Sequence, residues 1–345
     1  MSTVHANARS RVAGAWLAAV AGLVLAMVVV GGATRATGSG LSITEWKPVS
    51  GAIPPLNTAA WEQLFRLYQA TPQYHLQNFG MTLAEFQHIF WWEWAHRLLG
   101  RLVGVAFLAP FLVLLALRRI PRRLVSRCVL LFALGGLQGA VGWWMVQSGL
   151  EARTSVAPER LATHLGLALL LFAVIVWTAL DAWFGPGRGS RKRAHGWVWM
   201  SALFLAAVFV QCLAGALVAG NHAGLVDADW PLMGGRWFPT GYWGGTMWAT
   251  MAHSLPAVQF NHRVVAYGLL VGGLVMAAIA QLTTAADVSL RMLTVGLACL
   301  LVCQVALGVA ALILTVPLPL ALAHQFTAAL VLAVATILAW KARRI

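Results

Sequence analysis

Eight long apolar runs alternate with short polar segments along the chain, at about residues 12–33, 89–117, 124–146, 161–183, 196–219, 257–281, 290–315 and 318–340. Each reaches the roughly 20 residues that an α-helix needs to cross a bilayer core. The expected fold is therefore all-α and polytopic, with eight transmembrane helices. The first run follows Arg9 and Arg11 and resembles a leader, but its length and the seven runs behind it read as an uncleaved first helix.

A Gly/Ser/Arg-rich stretch at 184–195 divides the runs into four and four. The halves echo each other. Gly31, Gly40, Leu41 and Trp46 recur at one common offset as Gly215, Gly224, Leu225 and Trp230. His96-Arg97 recurs as His262-Arg263, and Gln138, Ala140 and Gly142 as Gln304, Ala306 and Gly308; His164 and Ala168 match His324 and Ala328. An even number of spans per repeat gives both copies the same orientation. This predicts two tandem four-helix bundles related by a pseudo-twofold along the membrane normal, with halves at 1–183 and 196–345.

Composition supports the membrane class: 60% of residues are hydrophobic and only 10% charged, with a mean hydropathy of +0.76. In a soluble chain, a net charge of +14 would suggest nucleic acid. Here most Lys and Arg sit in short loops and report orientation instead. Fifteen fall on one side, including Arg118, Arg119, Arg122, Arg123 and Arg127; six fall on the other. The excess predicts cytoplasmic termini and outer segments at 35–89 and between the fifth and sixth spans. Tryptophan concentrates on the outer side, where it can form an interfacial belt or line a flat ligand. The four cysteines show no zinc-type spacing; Cys299 and Cys303, at i and i+4, read as packing residues.

The chemistry-bearing stretch is FWWEWAHRLLGR, residues 90–101. Glu93 and His96, three residues apart, share one helix face. An ionisable pair at membrane depth is a candidate site. In the second half, Gln259 takes the place of the carboxylate while His262 and Arg263 remain. Four histidines, His96, His164, His262 and His324, begin even-numbered spans and so share the outer half of the membrane. Zinc or copper would want further Cys, His or carboxylate ligands, which the second half does not offer. Heme iron asks for one axial ligand on each face, which facing imidazoles on two helices supply. Gly100, Gly104, Gly166, Ala168, Gly268 and Ala328 would leave room for a macrocycle. Arg35, Arg97, Arg101 and Arg263 are candidates for propionates, with a structural pairing to Glu93 or to carbonyls also open.

Over nearly its whole length the chain resembles the heme A synthase family, in its alphaproteobacterial and mitochondrial branch. The resemblance is carried by GGATRATGSGLSITEWKPVSGAIPP (31–55), by FWWEWAHRLLGR, by QGAVGWWMVQSGL (138–150) and by His164, His262 and His324. It implies oxidation of the C8 methyl of heme O to a formyl group, with oxygen from water. It also implies heme O held by His96 and His164 in the first half, Glu93 as catalytic carboxylate, and a resident heme b on His262 and His324. Implied partners are heme O synthase as donor, a terminal oxidase subunit or its assembly factors, and an electron acceptor of unknown identity for which a quinone is a candidate; a homo-oligomer is compatible. The setting would be the bacterial inner membrane. Residues 35–90 contain no cysteine, a departure from members with a cysteine pair there, so no thiol step is implied. Two other classes fit four histidines: a two-heme cytochrome for quinone-linked electron transfer, and a heme carrier in oxidase assembly.

Overall fold

The computed structural model describes residues 9–185, 195–283 and 286–344. Its helices are α1 (Arg11–Ala36), α2 (Thr58–Gln69), α3 (Pro72–Gln77), α4 (Leu83–Ala116), α5 (Arg122–Glu151), α6 (Pro158–Phe184), α7 (His195–Gly220), α8 (Met247–His253), α9 (Leu255–Leu282), α10 (Val288–Ile313) and α11 (Leu318–Ala342). Eight of them, all but α2, α3 and α8, are long and apolar enough to cross a membrane. This is a multi-pass membrane protein. Most of the linker, residues 186–194 with Arg188, Arg191, Lys192 and Arg193, lies outside the described residues.

Helix ends follow local chemistry. Ser10 caps α1 and Asp287 caps α10, each accepting from the backbone N–H three residues on. Prolines sit in the first turns of α6, α9 and α11, where a missing N–H costs nothing. Helix α4 begins at Leu83, earlier than hydropathy places it. A capping box explains this: Glu85 N–H donates to Thr82 Oγ1, and the Glu85 carboxylate accepts from Thr82 N–H at 2.8 Å. The first turn is polar and therefore silent in an apolar count.

Helices α1, α6, α7 and α11 form the centre, while α4, α5, α9 and α10 pack outside them. The packing follows the repeat: α1 meets α4 and α6 as α7 meets α9 and α11. The halves touch through α6–α7, α1–α11 and α6–α11, a set consistent with a twofold between them. Buried residues of all these helices form one apolar core, from Leu17 and Phe172 to Leu297 and Leu332. Near the C-terminal ends of α6 and α11, Asp181 of α6 accepts from Arg127 of α5 at 2.8 Å and from Trp340 Nε1 of α11 at 2.9 Å.

Two expectations change. The segment 35–89 is not an open loop, because α2 and α3 fold onto the start of α4 around buried Tyr68, Tyr74, Phe86, Ile89 and Phe90. Its polar helix faces and short length hid it. Cys299 and Cys303 are not packing residues; both are exposed on the outer surface of α10, because that face points away from the bundle.

Candidate functional site

Helix α4 carries Glu93 into the protein interior at 2% exposure. Its Oε2 accepts from Ser42 Oγ at 2.8 Å and from the Ile43 backbone N–H at 2.9 Å. Its Oε1 accepts from Arg97 Nε at 3.0 Å and Nη2 at 2.6 Å, one turn along the helix. Arg97 also donates to the carbonyls of Ile43 and Glu45. A bidentate, hydrogen-bonded ion pair is the form in which a buried charge is tolerated. Carboxylate and guanidinium thus tie the segment 42–45 onto α4. Arg101 extends the tie by donating to the carbonyls of Lys47 and Pro48. Above this sits Trp46, stacked on Trp143 of α5 at 6.1 Å, with Arg97 over the Trp143 ring.

The second half makes the same tie without the acid. Gln259 Nε2 donates to the Asp227 carbonyl at 3.0 Å, and Arg263 donates to the carbonyls of Asp227, Asp229 and Leu232. Gln259 Oε1 is buried with no partner. Asp229 closes the segment by accepting from the N–H groups of Gly235 and Gly234; these bonds, the Gly235 one first, hold its carboxyl below the usual range.

Each of the four histidines stands against a glycine of a neighbouring helix. A Cβ at Gly31 of α1 would lie 3.2 Å from His96 Nε2, and one at Gly215 of α7 would lie 3.1 Å from His262 Cε1. A Cβ at Gly142 of α5 or Gly308 of α10 would lie 2.9 Å from Cε1 of His164 or His324. The repeat is thus kept at the level of single side-chain contacts. Gln138, one turn before Gly142, donates from Nε2 to the His164 carbonyl at 2.9 Å and touches its ring; Gln304 Nε2 meets His324 Nε2 at 3.3 Å. His262 and His324 face each other with ring centroids 6.4 Å apart.

Each half therefore brings two imidazoles together from two helices in apolar surroundings. Among the described residues no group of three or more His, Cys, Asp or Glu converges as metal ligands. Buried acceptors without partners lie beside the histidines, at Gln138 Oε1, Gln304 Oε1 and Gln211 Oε1, together with His262 Nδ1. Unsatisfied polar atoms beside paired ligands fit a site shaped for a bound group. Of the small residues, Gly166 does not serve it: its face meets Leu213 of α7. Gly104 and Gly268 face open space.

The four arginines differ. Arg97, Arg101 and Arg263 are spent largely on loop carbonyls, although Arg101 Nη1 and Arg263 Nε remain unpaired. Arg35, at the end of α1, lies near His222 of the second half; burial, and then the Arg35 charge, hold the His222 imidazole below its ordinary value. Sequence reasoning missed Ser42 and Ile43, whose contacts to Glu93 bridge some fifty residues and leave no local pattern.

The family pattern COX15-CtaA, described as cytochrome oxidase assembly protein, matches residues 14–336. The chain belongs to this family. It is 54% identical over 345 residues to a protein of Caulobacter vibrioides named heme A synthase, covering 100% of both chains. It is 47% identical to the protein of that name in Maricaulis maris, over 99% of this chain and 98% of the relative. For the one in Paracoccus denitrificans the figure is 46%, over 94% and 86%. The agreement runs end to end, so the four histidine sites fall inside a shared fold.

Proposed function

We propose that this chain oxidises the C8 methyl of heme O to the formyl group of heme A, for use in a terminal oxidase. The observation that carries this is the full-length identity to relatives named heme A synthase, on a fold with two matched histidine pairs of which only one has a carboxylate beside it. The net change is R–CH3 + H2O → R–CHO + 4 H⁺ + 4 e⁻, so the site needs a proton acceptor and an electron outlet. Residues 1–183 are the substrate half, where His96 and His164 hold heme O. Residues 196–345 are the electron half, where His262 and His324 hold heme b; 184–195 joins them on the cytoplasmic side. A bound heme supplies one-electron redox chemistry there.

Glu93 is the catalytic carboxylate of the substrate half. Arg97 donates to its Oε1, and the Ser42 hydroxyl occupies a position on Oε2 from which a water would donate. Arg35 is the partner for a propionate in the substrate half, since its guanidinium is not committed to loop carbonyls as those of Arg97, Arg101 and Arg263 are. The protein sits in the inner membrane with both termini cytoplasmic. Heme O synthase supplies the substrate, a quinone takes the electrons, and an oxidase subunit or its assembly factors receive the product.

The purified protein, given heme O and a quinone without dioxygen, should accumulate heme A on chromatography. No heme A under these conditions, with heme A formed once dioxygen is admitted, would overturn water as the oxygen source. A two-heme cytochrome remains the second reading, favoured by the near-identical His164 and His324 settings; it would yield heme b alone under either condition.

A further inference from the structure

The two histidine pairs lie in different halves, and the proposed chemistry requires electrons to pass between them. The helices that carry or abut them cross the interface at two places related by the repeat. At one, α6 meets α7; at the other, α11 meets α1. The first crossing is apolar where Gly166 of α6 faces Leu213 of α7, and Leu165 and Ala216 hold the repeat positions of Gln325 and Gly32. The second is different. Gln325, next to His324, donates from Nε2 to the Val28 carbonyl of α1 at 2.7 Å.

The amide of Gln325 sits in a notch of α1 that exists because residue 32 is a glycine. A Cβ there would lie 2.7 Å from Gln325 Cδ and would collide with Oε1. Gly31, the neighbour of that notch, is the residue against which His96 stands, with its Nε2 3.2 Å from the position of a Cβ. A short run of contacts therefore leads from His324 through Gln325 and Gly32-Gly31 to His96. Within apolar helices, a side-chain amide placed on a neighbour's carbonyl holds two backbones together with a directional bond that Leu against Ala lacks.

We propose that Gln325 is a positioning residue that fixes α11 against α1, and so sets the separation of the substrate site from the electron site. This rests on the two-heme reading above. The step concerned is a one-electron transfer: the iron held in the first half is oxidised from ferrous to ferric, the iron held in the second is reduced from ferric to ferrous, and no proton moves. Its rate falls steeply as the two irons are moved apart.

The test uses full-length protein with its resident heme oxidised, mixed without dioxygen with ferrous heme O, following reduction of the resident heme by its visible band. Gln325→Leu should slow that reduction several-fold relative to the wild type. The double variant Gly32→Ala, Gln325→Leu copies the other crossing and should regain thermal stability while staying slow, which separates positioning from packing. Wild-type speed in Gln325→Leu, or recovery of speed together with stability in the double variant, would overturn the proposal. No reduction in the wild-type protein would instead overturn the two-heme reading on which it rests.

Discussion

The two halves tie α4 or α9 to the segment before it in a similar way, and they differ in the residue at the centre of the tie, a carboxylate in one and an amide in the other. In the first half, Glu93 meets four donors with two oxygens. In the second, Gln259 meets one acceptor with its nitrogen and leaves its oxygen buried and alone. Arg97 and Arg263 perform the loop-holding in both, by donating to backbone carbonyls. Holding the outer segment therefore does not require an acid, and the second half shows how it is done without one. What the acid adds is a charge.

The histidines give the largest expected effects. His262→Ala or His324→Ala should remove the heme that copurifies as heme b, each deleting one axial ligand. His96→Ala should keep that heme and lose product. Heme b lost in His96→Ala and kept in His262→Ala would reverse the assignment of the halves.

Glu93→Gln should lower turnover by about 10²–10⁴-fold, the range for a positioned general base. Gln259→Glu in the second half should leave turnover near wild type. Removing one partner of the buried pair should also cost about 3–5 kcal/mol of stability, seen in thermal unfolding; if Glu93 only holds the loop, activity per folded molecule should be unchanged.

Smaller effects sharpen the comparison. Gly142→Ala and Gly308→Ala each place a methyl 2.9 Å from an imidazole carbon. The ring must move, so Gly308→Ala should shift the heme b spectrum and Gly142→Ala should not. Arg35→Gln should raise KM for heme O by about tenfold, with kcat little changed, as expected from losing one hydrogen bond to a charged group at about 1.5–3 kcal/mol.

Much of this was legible from residue order. The eight spans are long apolar runs, and the repeat is visible because His, Gly and Gln recur at fixed offsets; the structure returns those residues as glycine-to-histidine contacts. The folded segment at 58–77 was hidden because α2 and α3 are short and their core is shared with α4. Whether Arg97 and Arg101 serve propionates, Glu93 or carbonyls stayed open in the sequence, because a guanidinium can donate to any of these acceptors and only the path of the segment decides. Nothing in the local sequence singles out Gln325. Its partner is 297 residues away.

The most direct measurement is chromatography of the hemes extracted from host membranes that make heme O but lack this chain, complemented with the wild type or with Glu93→Gln. The wild type should yield heme A together with heme b, and Glu93→Gln should yield heme b with little or no heme A. Heme b alone from the wild type, or heme A at the wild-type level from a well-folded Glu93→Gln protein, would contradict the account.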